Sequence, residues 1–478
     1  MRPGFIGAVA VERLVSLVQL HIRALAIASL LALLTSAEAG ASNKIIGDSI
    51  FTAREKSAVP LTASRTSAPD ADSSAITVSA AASNPYSETY WSAVADLDID
   101  ALTKAARNSP EAVFARGMSF LASGDHARAE STFVALSSGV TDFNVGIASQ
   151  MMLARTLLYE RKWAMLRDLP ANPELRSEDT KNIEELERWG RAFANLEPQV
   201  TRFPLEPVSL PLRTTSLGTP TVRVKINGKA YEFWLDTGSS MTVLSSEVAA
   251  AAGVPTISSD SLTIRTFGGT ARVRPALVRK MEVGTIVLTN TPVIVIDASL
   301  MLLKSPAAAF STPNHYVDGI VGWDFIRQFD VLLDYDNGVI QLARPERRIA
   351  SSGTQNLLWI GQPLVEVRTR EGRTLHLALD TGAQSTLLNA SVLDKAGVVT
   401  TSVTTRVFGL ARSASSSDRV IPELPLQVAG RSLRLHNVIV YGPRYSGLIA
   451  CDGILGSDIA RFGRIHIDAT NGIFSVGA

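Results

Sequence analysis

The pattern of apolar and polar residues opens with a basic N-terminus followed by an apolar run of eleven residues, 24–34, and an Ala-Glu-Ala site that ends at Ala39. This order predicts a secretory signal over 1–39, with cleavage after Ala39. The alternative is a membrane anchor, but a spanning helix needs about 20 apolar residues. We therefore expect a periplasmic or secreted protein with no stable membrane span after cleavage.

The next two segments differ in the periodicity of their apolar residues. Residues 40–90 are rich in Ser, Ala and Thr and predict a flexible linker, whereas 91–200 have helical periodicity. Small and large apolar residues in the helical stretch follow the spacing of a tetratricopeptide helix pair. An ordinary small helical bundle is the alternative. The residues that suggest the repeat are Val113, Gly117, Phe120, Ala129 and Phe133.

From about residue 208 the chain changes to short β-type runs separated by Gly, Asn and Pro, and this β region is duplicated. Residues 235–254 match 379–398 at ten of 20 positions, and 318–342 match 452–476 at 9 of 25. The order of the motifs is the same in both copies. We therefore predict two copies of one β lobe, over 208–345 and 346–478.

Each copy contains a strand hairpin that leads into Asp-Thr-Gly. In the first copy Asn227-Gly228 supplies the tight turn, and the second strand ends at Asp236; the second copy repeats this up to Asp380. The glycine after each Asp-Thr permits a sharp bend, and the threonine can brace the loop through backbone hydrogen bonds. A later Asp-Gly-Ile segment in each copy predicts a core strand that passes under this loop.

Composition removes several other classes of protein. The 478 residues carry a net charge of +1, so no basic excess favours nucleic-acid binding. The single cysteine, Cys451, excludes an intrachain disulfide framework and a multi-thiolate metal site, and is expected to be a buried structural thiol. The six histidines have no metal-ligand spacing. We expect neither a metal nor a cofactor.

Two Asp-Thr-Gly motifs, each followed 72–82 residues later by Asp-Gly-Ile-x-Gly, resemble the aspartic proteases, and most closely the retropepsin-like family of bacteria. The resemblance covers about 208–478. It implies a mainly β fold with two retropepsin-like β-barrel lobes that form an intrachain pseudo-dimer. The helical periodicity of 91–200 separately predicts a small α-helical (TPR-like) domain before the lobes. It also implies that Asp236 and Asp380 form the catalytic pair. The loop residues that would support this pair are Thr237, Gly238, Thr381 and Gly382.

The resemblance further implies a β-hairpin flap over the substrate in each lobe. The candidate tips are Gly-containing segments 28–31 residues after each Asp; ordinary β-turns are the alternative. Asp318, Asp324, Asp452 and Asp458 recur with the duplication and are expected to brace turns. The candidate flap-tip residues are Phe267, Gly268, Gly269, Phe408 and Gly409.

The sequence thus predicts an exported aspartic endopeptidase that acts on a peptide or protein substrate. A noncatalytic periplasmic protein that binds peptides or proteins on the same scaffold is the alternative. For the helical segment two interpretations stay open, a docking module for a protein partner and, over 40–200, an inhibitory prosegment.

Overall fold

The computed structural model describes the chain from the first helix onward, with short gaps. The predicted signal and residues 40–87 of the predicted linker lie outside the described residues. The described residues are 88–98, 109–139, 143–169, 178–215, 218–257, 261–266, 269–303, 315–347, 355–409, 412–441, 449 and 451–477.

Helices come first, and the first one begins at Glu88, inside the segment predicted as linker. Ser109 caps the second helix by accepting a hydrogen bond from the amide of Ala112, and Pro110 occupies the first turn, where its missing N–H costs nothing. The helices are α1 (Glu88–Ala95), α2 (Pro110–Ala122), α3 (His126–Gly139), α4 (Phe143–Tyr159), α5 (Trp163–Arg167) and α6 (Glu178–Phe193).

The helix pair α2–α3 packs closely where the sequence placed a small residue against a large one. A Cβ atom added to Gly117 would lie 2.7 Å from the ring of Phe133, which is fully buried. Gly124, with φ of 76°, makes the turn between the two helices. The pair therefore needs glycine at 117, while its membership of a tetratricopeptide repeat stays a prediction.

The first lobe is a closed barrel of six strands. The hairpin β4–β5 turns at Asn227-Gly228, both with positive φ, as predicted. The ring runs β4-β5-β12-β6-β9-β8 and closes by pairing of β8 with β4. The elements from 200 to 343 are β1 (Val200–Arg202), β2 (Val208–Pro211), β3 (Arg213–Thr214), β4 (Pro220–Ile226), β5 (Lys229–Leu235), β6 (Val243–Ser245), α7 (Ser246–Ala251), β7 (Leu262–Thr266), β8 (Gly269–Val283), β9 (Ile286–Ile296), β10 (Leu302–Leu303), β11 (His315–Tyr316), β12 (Gly319–Val321), α8 (Trp323–Ile326), β13 (Asp330–Asp334) and β14 (Val339–Ala343).

The second lobe repeats the barrel, with the ring β16-β17-β22-β18-β21-β20 closed by pairing of β20 with β16. The predicted mainly β fold with two barrel lobes is confirmed. The elements are β15 (Leu357–Trp359), β16 (Pro363–Thr369), β17 (Thr374–Leu379), β18 (Leu387–Asn389), α9 (Leu393–Ala396), β19 (Thr401–Gly409), β20 (Arg412–Val428), β21 (Arg431–Tyr441), β22 (Gly453–Leu455), β23 (Arg464–Asp468) and β24 (Ile473–Val476).

A five-stranded sheet, β2-β14-β13-β23-β24, joins the lobes. Its central pair is antiparallel, and Leu332 lies opposite His466, its own equivalent in the second copy. Asp330 lies opposite Asp468, the equivalent of Asp334, and Asp334 lies opposite Arg464, the equivalent of Asp330. A pseudo-two-fold axis therefore passes through the Leu332–His466 pair, as in the interface of a symmetric dimer.

The helices share an apolar core with the barrels and are not a separate body. One continuous cluster of buried residues includes Met152 and Trp189 from the helices, Ile264 and Ile320 from the first lobe, and Leu364 from the second. Among the described residues, none of the helices is both long and apolar enough to span a membrane.

Candidate active site

The two aspartates stand at equivalent places, each directly after a strand in the middle of its barrel. The amide of Asp236 donates to the carbonyl of Val321 at 3.0 Å, and that of Asp380 donates to Leu455 at 3.1 Å. Strands β12 and β22, which provide these carbonyls, run parallel to β5 and β17. The predicted core strand under each Asp-Thr-Gly loop is thus confirmed.

The two threonines join the loops to each other. The amide of Thr237 donates to Oγ1 of Thr381 at 3.0 Å, and the amide of Thr381 donates to Oγ1 of Thr237 at 2.9 Å. Each hydroxyl also donates across the interface, Thr237 to the carbonyl of Leu379 (2.8 Å) and Thr381 to that of Leu235 (2.6 Å). The sequence predicted bracing within one loop, and the structure corrects this: each threonine braces the loop of the other lobe.

The two glycines leave room for the carboxylates. A Cβ atom added to Gly238 would lie 2.6 Å from Cγ of Asp380, and one added to Gly382 would lie 2.5 Å from Cγ of Asp236. The loops therefore meet so closely that each carboxyl group rests on the backbone of the opposite glycine. Only a residue without a side chain permits this approach.

The carboxyl groups of Asp236 and Asp380 meet where the loops cross, each against the glycine of the opposite loop. Two carboxyl groups at such short range favour a state in which the pair holds one proton. Backbone amides hold the outer oxygens, since Gly238 N donates to Asp236 Oδ1 and Ala383 N donates to Asp380 Oδ1, each at 2.8 Å. Burial raises the pKa of Asp380, while the hydrogen bonds from Ala383, Asp236 and Gly382 oppose that rise. The pair can therefore hold one proton while its other member stays ionised.

A second layer of hydrogen bonds lies behind each loop and repeats with the duplication. In the first lobe Thr242 Oγ1 donates to Asp324 Oδ1 at 2.9 Å, and in the second Thr386 Oγ1 donates to Asp458 Oδ1 at 2.7 Å. The same hydroxyls accept from the amides of Gly322 (3.4 Å) and Gly456 (3.2 Å). These contacts hold the turn after each Asp-Thr-Gly against the Asp-Gly-Ile-x-Gly segment.

The other two recurring aspartates brace the hairpins. Asp318 accepts from the amide of Glu232 at 3.1 Å, and Asp452 accepts from that of His376 at 2.9 Å. Asp324 and Asp458 thus brace the turns after the Asp-Thr-Gly motifs, whereas Asp318 and Asp452 hold strands β5 and β17. Cys451 was expected to be buried but is only half-buried, and its Sγ lies 2.7 Å from the carbonyl of Gly453.

Both predicted flap segments lie in long β-hairpins. In the first, Thr266 pairs with Gly269, which begins β8, while Phe267 and Gly268 lie outside the described residues. In the second, Phe408 and Gly409 pair within the hairpin, opposite Ser413 and Arg412. These two residues end strand β19, and residues 410–411, which follow them, lie outside the described residues, so the position of the second tip stays a prediction.

Sequence reasoning missed the contribution of the helices. Arg161, just after α4, forms a salt bridge with Asp324 in the second layer of the first lobe. Glu185 of α6 accepts a hydrogen bond at 3.0 Å from the amide of Thr263 in strand β7 of the first flap hairpin. No motif marks either residue, and their partners lie 163 and 78 positions away along the chain.

A six-stranded barrel present twice, with one Asp-Thr-Gly loop from each copy meeting near a pseudo-two-fold axis, defines the acid-protease class of fold. The sequence profile of the aspartyl protease family matches residues 222–325 and 365–459, one region in each lobe. Both lobes are therefore similar to the aspartyl protease family.

Comparison with solved structures finds 140 matching chains. One is the crystal structure of a retropepsin-like aspartic protease from Rickettsia conorii, at 16% sequence identity and a TM-score of 0.21; the match covers 31% of this chain and 96% of that chain. A search of curated proteins finds no match.

Proposed function

We propose that the protein is an exported aspartic endopeptidase in which Asp236 and Asp380 activate a water molecule for attack on a peptide bond. The observation that carries this proposal is the meeting of the two Asp-Thr-Gly loops, which the crossed threonine contacts hold so that each carboxyl group lies against the opposite glycine. The match of both lobes to the profile of the aspartyl protease family supports it.

The chemistry follows from a carboxyl pair with one proton, an arrangement for which aspartic proteases are the standard example. The ionised carboxylate takes a proton from water as the water oxygen attacks the scissile carbonyl carbon, and the protonated carboxyl donates its proton to the carbonyl oxygen. The tetrahedral intermediate then breaks its C–N bond as the nitrogen takes a proton, which yields a carboxylic acid and an amine. The pair titrates as a unit, so neither aspartate is assigned one role.

The hairpins β7–β8 and β19–β20 are the elements that would cover an extended peptide. Closure of such a hairpin excludes water from the carboxyl pair and strengthens its electrostatic interactions. The signal-like pattern over 1–39 supports export. N-terminal sequencing of the protein recovered from the expressing cells tests this, since export predicts a mature chain that starts at Gly40.

The catalytic proposal is tested by peptide-library digestion with the wild type and with Asp236→Asn and Asp380→Asn. Because either substitution removes half of the acid–base pair, we expect each to lower kcat by about 10³-fold or more. Asp297→Asn is the matched control, because Asp297 is exposed and bonds only locally to Ser299. Cleavage that survives both active-site substitutions contradicts the proposal. Peptide binding without cleavage by the wild type would instead establish the noncatalytic binding protein.

A further inference from the structure

Arg161 extends from the helical region to the back of the first catalytic loop. It lies just after α4 in a left-handed conformation, with φ of 58°, and 16% of its side chain is exposed. Its Nη2 donates to Oδ2 of Asp324 at 3.2 Å and to the carbonyl of the same residue at 2.9 Å, and Nη1 donates to Gln199 at 2.5 Å. The guanidinium group is thus held at three acceptors.

Asp324 carries this contact to the loop. The other oxygen of its carboxylate accepts from Thr242, whose hydroxyl accepts from the amide of Gly322. The next amide, that of Trp323, donates to the carbonyl of Ser239 at 2.6 Å, and Ser239 N donates to the carbonyl of Asp236 at 3.3 Å. A continuous series of hydrogen bonds therefore links Arg161 to the first Asp-Thr-Gly loop.

The second lobe has the same threonine–aspartate contacts behind its loop, but its aspartate has different surroundings. Asp458 is bonded to Thr386, and burial raises its pKa to about 6. Arg461, whose charge opposes the rise in the pKa of Asp458, donates to the carbonyl of Arg434 on its own lobe. Among the described residues, only the first lobe receives a cation from the helical region behind its loop.

We infer that Arg161 is a positioning residue for the first catalytic loop, and that the helical region is a permanent part of the catalytic unit. The inference rests on the proposed peptidase function. Burial raises the pKa of Asp324 and Arg161 opposes that rise, so loss of Arg161 favours protonation of the carboxyl group and removes the two bonds that fix Asp324 behind the loop. The loop that carries Asp236 would move, and displacement by about 1 Å from the reactive geometry lowers rates by about 10²-fold.

The test compares the full chain with Arg161→Met and Arg161→Lys. We expect Arg161→Met to lower kcat by about 10–10²-fold, with KM nearly unchanged, because the residue acts on the loop and not on the substrate. Arg161→Lys should restore part of kcat, since it keeps the charge but not the fork of donors. Arg167→Met is the matched control in the same region, because Arg167 forms an exposed pair with Asp168. Wild-type kcat in Arg161→Met overturns the inference.

Hydrogen exchange gives a readout that does not depend on cleavage. In Arg161→Met the amides of 236–245 should exchange faster than in the wild type, while those of 380–389 stay unchanged. Equal acceleration in both segments means general destabilisation and overturns the inference. If Arg161→Met does not fold, Arg161→Gln, which removes the charge but keeps polar contacts, is used in the same comparison.

The two proposals fail separately. A wild type that cleaves no peptide removes the proposed function, whereas the exchange comparison still decides whether Arg161 holds the loop. Proteolytic release of residues 40–200 with full retention of activity would show that the helices are a prosegment and would overturn the inference.

Discussion

The two lobes are alike around the carboxyl pair and different behind it. The Asp-Thr-Gly loops, the crossed threonines and the Thr–Asp contacts of the second layer occur in both copies. The helical region, however, contacts the second layer of the first lobe alone among the described residues. A proton shared by two carboxyl groups requires that both groups be held in similar positions. The residues behind the two loops need not be the same.

The helices approach the two lobes through different chemistry. Arg327 of the first lobe stacks on Tyr159 of α4, with its guanidinium carbon 3.8 Å from the ring centroid, and donates to the Tyr159 carbonyl. Its equivalent, Arg461, remains on the surface of the second lobe. The second lobe packs Trp359 of strand β15 against Tyr159, with ring centroids 4.0 Å apart, and its Ile360 carbonyl accepts a hydrogen bond at 3.2 Å from Arg155 of α4. Docking of the helices thus breaks the symmetry of the duplicated lobes outside the site while leaving the site symmetric.

Alanine at the two loop glycines tests the symmetry of the site most severely. A methyl group at 238 or 382 would overlap the opposite carboxyl group, so Gly238→Ala and Gly382→Ala should each lower kcat by about 10²-fold or more. Gly146→Ala is the control, since an added Cβ meets nothing within 4 Å there. Peptide-cleavage kinetics measure the effect. Full activity in either loop variant would contradict the close approach of the loops.

Valine at the two threonines tests whether the interlobe contacts are equivalent. Thr237→Val leaves the amide of Thr381 and the carbonyl of Leu379 without their bonds, and two buried orphan groups should lower the free energy of unfolding by about 4 kcal/mol. Thr381→Val should lower it equally, because its bonds mirror these. Denaturant unfolding measures both variants, with the serine variants as controls that keep the hydroxyl. Unequal losses would show that one lobe depends on the contacts more than the other.

Asparagine at the second-layer aspartates should separate the lobes. Asp324→Asn removes the charge that compensates buried Arg161, so we expect the free energy of unfolding to fall by about 3 kcal/mol. Asp458→Asn removes a carboxyl group with no such partner, and the hydroxyl of Thr386 can still donate to the amide oxygen. Its stability at neutral pH should therefore rise.

The pH dependence gives the sign of the Asp458 effect. Burial raises the pKa of Asp458 from 3.8 to about 6, so the folded state favours the protonated form. The contribution of Asp458 to the free energy of unfolding is therefore fully present below pH 4 and is lost as the pH rises through 6. In Asp458→Asn this pH-dependent loss should be absent. Since the carboxyl group keeps some contact with solvent, the gain at pH 7 should be about 1–2 kcal/mol. Unfolding at pH 4 and pH 7 measures it, and an identical pH dependence in the variant would contradict the expectation.

Local signals in the sequence account for the parts of the fold that could be predicted. The Asn227-Gly228 turn and the alternation of the flanking strands specify a hairpin without reference to the rest of the chain. The flap hairpins were also predictable, but the register of their strands was not, because strand register depends on pairing across the sheet. The exact partner of each threonine hydroxyl was beyond prediction for the same reason.

The sequence by itself determined the duplication, the β character of both copies and the two aspartates that stand at equivalent places in them. Local sequence patterns indicate these features, and the same motifs occur in the same order in both copies. Only the tertiary structure decided that each threonine reaches the opposite loop and that Arg161 meets Asp324. Such contacts join residues more than 140 positions apart, and their choice depends on how whole barrels and helices pack, which no local pattern records.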